Sequence, residues 1–186
     1  MNGERLAQAE HCLLLVIDIQ TRLAAALHDK PRKHVLKHSG MLCQAAAALN
    51  VPVIVTEQYP RGLGQTEAAV AAHLPEVQPL EKTCFSCYRS EEFATALKQY
   101  QRDQVVLCGI ESHVCVLQTA LQLQQAGYQV FVVEDAVASR HKRHHKNAIA
   151  RMRQAGVIIS NVESVMFEWL GDAKHPAFKS LSRLLR

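Results

Sequence analysis

The sequence has no apolar run long enough to cross a bilayer, no internal repeat and no low-complexity linker. A membrane span, a solenoid and a string of small modules are therefore set aside. Residues 1–186 read as one domain, 48% hydrophobic and 20% charged, which is an ordinary soluble composition with enough chain for a sizeable core. Met1-Asn2-Gly3-Glu4-Arg5 leads into no signal-peptide pattern, and its acid argues against a mitochondrial leader. The expected location is cytoplasmic, with an organelle left open, and no membrane partner is expected. A chain of this length does not need disulfides, so its six cysteines fit a reducing compartment. Cys12 and Cys108 stand in or beside strand-like runs and read as core fillers.

Charge is also scarce as a functional signal. The net charge of +4 is mild, and the basic residues concentrate in Arg140-His141-Lys142-Arg143-His144-His145-Lys146. This run reads as the solvated first turns of a helix. No nucleic-acid motif or interleaved aromatic accompanies it, so no nucleic-acid partner is expected. His141 and His145 lie one turn apart, but they lack the intervening glutamate of a zinc-protease motif and any evident third ligand.

What is present is a steady alternation of strand-like and helix-like segments. Strands are expected at Cys12 to Ile19, Val53 to Thr56, Leu80 to Lys82, Gln104 to Cys108, Gln129 to Val133 and Val157 to Ile159. Pro52 fits only at a strand's first residue. Helices are expected at Val35 to Leu49, Glu67 to Ala72, Ser90 (as cap) to Tyr100, His113 to Ala126 and 141–155. Two terminal helices are expected at Asn161 to Leu170 and Pro176 to Leu185. Residues Glu57 to Gly64 read as a loop. Nearly all-apolar strands imply a sheet covered on both faces. Right-handed crossovers then make a three-layer α/β/α, doubly wound, Rossmann-like fold with a six-stranded, mostly parallel sheet. Ligands in such sheets bind at the carboxyl ends of the strands, where Asp18, the 57–64 loop, Lys82 and the turn Gly109–Cys115 should gather.

That turn is the most informative stretch. It follows the apolar run Val105-Val106-Leu107 and precedes an amphipathic helix. Ser112 reads as the N-cap, which would put Cys115 at the third helical position, where unpaired N–H groups and the helix dipole favour a thiolate. An ordinary cysteine is only a few per cent thiolate at neutral pH. The Lys82 ammonium would raise that share, and Asp18 could take the thiol proton and return it to a leaving group.

The sequence resembles the isochorismatase-like, or cysteine hydrolase, superfamily from about Leu13 to Leu170. The resemblance rests on Val16-Ile17-Asp18-Ile19-Gln20, on Glu81-Lys82-Thr83-Cys84-Phe85-Ser86, and on Gly109-Ile110-Glu111-Ser112-His113-Val114-Cys115-Val116. Thr56-Glu57-Gln58-Tyr59-Pro60-Arg61-Gly62-Leu63-Gly64 is similar to the branch called isochorismatase domain-containing proteins. The resemblance implies a catalytic triad of Asp18, Lys82 and Cys115 and a cis peptide between Ile110 and Glu111. It further implies an oxyanion hole from the backbone N–H groups of Glu111 and Cys115.

Two departures refine this expectation. Nicotinamidases of the superfamily hold a metal through an Asp-x-His motif after the second strand, where this chain reads Glu57-Gln58-Tyr59. No metal and no other cofactor is therefore expected. The enzyme that hydrolyses isochorismate lacks the nucleophilic cysteine, so thioester chemistry on an amide-like carbon–nitrogen bond of a small molecule is favoured here. Gln20, Leu23, Tyr59, Phe85 and His113 are the candidate substrate-binding residues.

Other readings remain at this stage. Cys84-Phe85-Ser86-Cys87 is a C-x-x-C pair, so a thiol redox protein is an alternative. A non-catalytic interaction protein that keeps the fold is another. The family commonly assembles, and apolar faces around Val165, Phe167, Trp169 and Phe178 could form a homo-oligomeric interface or simply cover the sheet.

Overall fold

The computed structural model describes residues 5–186; residues 1–4, on which the leader reading rests, lie outside the described residues. The strands are β1 (Cys12–Ile17), β2 (Val53–Gln58), β3 (Leu80–Lys82), β4 (Gln104–Ile110), β5 (Gln129–Ala138) and β6 (Ile158–Ser160). They form one sheet in the order β3-β2-β1-β4-β5-β6, with every neighbouring pair parallel. The chain starts at the centre, winds outward to β3, returns to β4 and winds outward the other way. The strand order therefore reverses between β1 and β4, and such a switch point opens a crevice at the strands' carboxyl ends.

The sheet separates two cores. Leu14 and Val16 face one with Leu42, Val165 and Trp169, while Leu13, Leu15 and Ile17 face the other with Phe93, Leu123 and Met152. Adjacent residues of one strand are thus buried on opposite faces, which explains why these strands are apolar without alternation.

Several elements depart from the expected boundaries. The helix α2 (Asp29–Ala48), which follows the short α1 (Thr21–Ala25), begins six residues before the expected Val35. Pro31 and the charged residues around it hid that start, yet proline is tolerated in a helix's first turn. A helical turn, α3 (Pro60–Leu63), stands within the 57–64 loop, and α4 (Ala68–Ala71) follows it. The helix α5 (Glu91–Gln99) is capped as expected, with Ser90 Oγ accepting from Phe93 N at 3.3 Å. Strand β5 continues past Val133 to Ala138, where it pairs with Gly109 and Ile110. The partly exposed Glu134 and Asp135 interrupt its apolar pattern.

After α6 (Leu117–Gln125) and α7 (Lys142–Gln154), the chain ends in α8 (Val162–Leu170) and α9 (Phe178–Leu184). Val165 and Trp169 are buried in the first core and cover the sheet rather than offering an interface. Phe167 is 42% exposed, and its ring centroid lies 6.2 Å from that of Phe178. Among the described residues, no helix is long and apolar enough to cross a membrane.

Candidate active site

Asp18 follows β1 directly and has a left-handed backbone, φ 50°, with its N–H donating to Thr56 O at 3.1 Å. Its carboxylate is buried and doubly held. Lys82 Nζ donates to Oδ2 at 2.7 Å, and Thr56 Oγ1 donates to Oδ1 at 2.8 Å. The same ammonium donates to Gln58 Oε1 at 2.8 Å, Cys84 O at 3.3 Å and Phe85 O at 3.4 Å. Burial alone would lower the Lys82 pKa, but its anionic neighbours, Asp18 foremost, bring it above the ordinary 10.5. A buried charge survives when it is paired and its other donors are satisfied, as they are here.

Gly109 brings the other wall of the crevice close. It stands beside Ile17 in the β1–β4 register, and its φ is 137°. A Cβ there would lie 2.1 Å from Ile17 O, so only glycine lets the two central strands approach at the switch point. The peptide from Ile110 to Glu111 is cis.

The next residues, Ser112–Val116, form a π-helical turn in which Val116 N donates to Glu111 O at 3.3 Å. The expected cap is corrected here. Glu111 occupies the N-cap place without a side-chain cap bond, and Ser112 Oγ turns instead toward Ser139 Oγ and His145 Nδ1. Cys115 is consequently the fourth residue of the turn rather than the third. The Glu111 carboxylate accepts from Arg140 N at 3.0 Å and Arg140 Nε at 3.1 Å.

Cys115 is 5% exposed and interacts with Asp18 and Lys82. Burial raises its pKa most, the charge of Asp18 raises it further, Lys82 lowers it, and a hydrogen bond with Asp18 raises it again. The net shift is strongly upward, which corrects the expectation of a favoured thiolate: desolvation and the carboxylate outweigh the lysine and the helix end. Cys115 rests as a thiol beside a carboxylate able to take its proton.

The sequence reading missed three supporting side chains. Thr56 and Gln58 orient Asp18 and Lys82, and they lie on β2, read as ending at Thr56. Cys87 lies behind them, fully buried, with its sulfur 3.6 Å from Thr56 Oγ1 and its N–H donating to Thr119 Oγ1 at 2.9 Å. Because the Thr56 hydroxyl donates to Asp18, it accepts from the Cys87 thiol. Burial, then the charge of Asp18, pushes that thiol up to about 11. Cys84 and Cys87 are both free, and an elevated thiol is the opposite of what a C-x-x-C redox centre requires.

The pocket candidates divide. Gln20 is buried and holds the 57–64 loop: Nε2 donates to Gly64 O at 2.6 Å and Gln58 O at 3.0 Å, while Oε1 accepts from Gln58 N at 2.7 Å. Leu23 packs against the first core. Tyr59 and Phe85 are more than half exposed, and Tyr59 borders a cleft of about 550 Å³ with Arg61, Lys82, Cys84 and Arg89. His113 Nδ1 meets Ser139 Oγ at 2.9 Å. Glu57, which stands where a metal-binding carboxylate was considered, accepts from Thr66 N and Thr66 Oγ1, both at 2.7 Å. Among the described residues, no three His, Cys, Asp or Glu side chains come together as metal ligands.

A wholly parallel, doubly wound sheet with Asp18, Lys82 and Cys115 gathered at its switch point marks a chain of the three-layer, Rossmann-like α/β class. More particularly, the chain belongs to the isochorismatase family, whose Isochorismatase domain matches residues 12–164. It is 40% identical over 178 residues to the secreted isochorismatase effector Isc1 of Phytophthora sojae, covering 94% of this chain and 84% of that protein. It is 38% identical over 174 residues to isochorismatase domain-containing protein 2 of Danio rerio, covering 93% and 86%. Among solved structures, one described as the MAR1 ribonuclease of Caenorhabditis elegans superposes with a TM-score of 0.89 at 37% identity, covering 96% and 91%.

Proposed function

We propose that the chain acts as a single domain, residues 1–186, and is a metal-independent, cytoplasmic cysteine hydrolase. It takes a small molecule with an amide-like carbon–nitrogen bond and works through a thioester. The observation that carries this reading is the buried junction of Asp18, Lys82 and Cys115. The carboxylate is held by two donors and still faces a protonated thiol.

As Cys115 Sγ bonds to the substrate's carbonyl carbon, its proton passes to Asp18 and the carbonyl oxygen becomes an oxyanion. The N–H groups of Glu111 and Cys115 receive that charge. The carbon–nitrogen bond then breaks, Asp18 returns the proton to the leaving nitrogen, and a thioester remains on Cys115. Water attacks the thioester while Asp18 takes its proton. The carbon–sulfur bond breaks, the proton returns to sulfur and the acid leaves. Lys82, paired with Asp18 at 2.7 Å, holds the carboxylate in place as it takes up and gives back each proton. The exposed Phe167 beside Phe178 supports a homo-oligomeric contact on the outer helices.

A panel of small amides and ureides, with RNA included because the similar worm structure is that of a ribonuclease, tests the reading. Acid-quenched turnover should show an acyl mass on the Cys115 peptide, and Cys115→Ala should lower turnover by roughly 10³-fold or more. Full turnover of any panel member by Cys115→Ala would contradict the thioester route.

A further inference from the structure

Four groups outside the Asp18–Lys82–Cys115 junction form one chain, two of them, Ser112 and His113, in the nucleophile turn itself. His145 Nδ1 lies 3.2 Å from Ser112 Oγ, Ser112 Oγ meets Ser139 Oγ, and Ser139 Oγ lies 2.9 Å from His113 Nδ1. Both serines are buried. Ser139 immediately follows β5, and Arg140, next in sequence, holds the Glu111 carboxylate. Two successive residues after β5 thus grip two successive residues of the turn.

Protons can be counted along this chain. Three contacts need three, and the two hydroxyls supply two. The third comes from an imidazole, so one ring donates from Nδ1 while the other accepts there. If both rings are charged, both Nδ1 atoms donate and one hydroxyl proton has no acceptor in the chain, which is costly in a buried place. With both rings charged the three contacts persist but one buried hydroxyl proton is stranded, so the chain is at full strength only while at least one imidazole is neutral.

We propose that Ser139 is a positioning residue for the nucleophile: through Ser112 it fixes the turn that carries Cys115, and the chain it completes is weakened when His113 and His145 are both protonated. This rests on the reading of Cys115 as the nucleophile. A displacement of about 1 Å in such a turn costs on the order of 100-fold in rate. Burial lowers the pKa of both rings, which favours the full-strength chain near neutrality. The groups facing His113 are Glu111, which raises its pKa, and His144, Arg140 and His141, which lower it. Glu134 faces His145 and is itself approached by Arg153.

Two readouts on the full chain test the proposal. The first is imidazole ¹⁵N NMR of His113 and His145. The second is the pH profile of Cys115 alkylation by iodoacetamide, read by peptide mass spectrometry. In the wild type, one ring should carry its proton on Nδ1 and the other on Nε2. On the acid side, the Cys115 rate should fall more steeply than one proton requires. Ser139→Ala should abolish the tautomer pairing, slow Cys115 about tenfold or more at neutral pH and remove the extra steepness; Ser139→Thr should restore all three.

Unchanged tautomers and an unchanged Cys115 profile in Ser139→Ala would overturn the proposal. Where that variant does not fold, His145→Phe leaves only one titrating ring on the chain and should remove the extra acid-side steepness, and an unaltered steepness would overturn it equally. Failure of the nucleophile reading looks different. Cys115 would then react equally in wild type and Asp18→Asn, while the ring tautomers still responded to Ser139→Ala.

Discussion

The two walls of the switch-point crevice are built by different chemistry. The wall from β1, β2 and β3 is ionic: Asp18 and Lys82 are paired at 2.7 Å, with Thr56 and Gln58 satisfying what the pair leaves over. The wall from β4 and β5 holds its π-helical turn through a chain of hydroxyls and imidazoles, beside the Glu111–Arg140 ion pair at the turn's start. A buried ion pair fixes a carboxylate as ionised, which suits a proton acceptor. A neutral hydrogen-bond chain fixes a position without adding charge next to a developing oxyanion.

Gly109→Ala strikes both walls at once, because its Cβ would meet Ile17 O at 2.1 Å in the seam between them. A loss on the order of 4–5 kcal/mol or outright failure to fold is expected in denaturant titration. Lys82→Met breaks the ionic wall alone and should cost about 3–5 kcal/mol by stranding Asp18. Asp18→Asn with Lys82→Met should recover part of that loss, whereas additive losses would show that the pair is not the source. Ser112→Ala breaks the hydroxyl–imidazole chain of the other wall and should cost less, about 1–3 kcal/mol, since only uncharged partners are left unsatisfied.

Stability against pH separates the walls further. Lys82 and the thiols of Cys87 and Cys115 have folded values above their ordinary 10.5 and 9.0. Their contribution is complete below those ordinary values and is lost as pH rises beyond them. His113 and His145 have folded values below their ordinary 6.5, so their contribution is present above pH 6.5 and is lost as pH falls through the folded values. Thermal melts should therefore show an alkaline loss that begins near pH 9, to which the buried thiols of Cys12, Cys43 and Cys108 add, and an acid loss below pH 6.5. Ser112→Ala should diminish the acid loss only.

Much of this was legible in the sequence because topology did the placing. Asp18, Lys82 and the Gly109–Cys115 turn each end a strand, and a parallel sheet delivers all its strand ends to one edge. The double winding and the parallel pairing follow from the same alternation. What the sequence hid was tertiary. Ser112 satisfies the local rule for an N-cap, but Ser139, 27 residues away, competes for its hydroxyl. Ser139 itself was invisible because Glu134 and Asp135 interrupt the pattern of β5. The thiol was read as acidic from its lysine and its helix end, both visible in sequence. Its burial, which reverses the sign, is a property of the fold. Gln20 looked like a pocket residue by position, yet its amide is fully engaged by the loop.

The most direct measurement is site-resolved labelling of all six cysteines with a neutral amide electrophile such as acrylamide, near neutral pH, in wild type, Asp18→Asn and Lys82→Met. Cys115 is expected to react in the wild type despite its elevated thiol and to slow by roughly 100-fold or more in both variants, as loss of a general base and its partner should produce. The half-buried Cys84 should react alike in all three. Labelling confined to Cys84, or a Cys115 rate indifferent to Asp18 and Lys82, would contradict a hydrolase built on this junction.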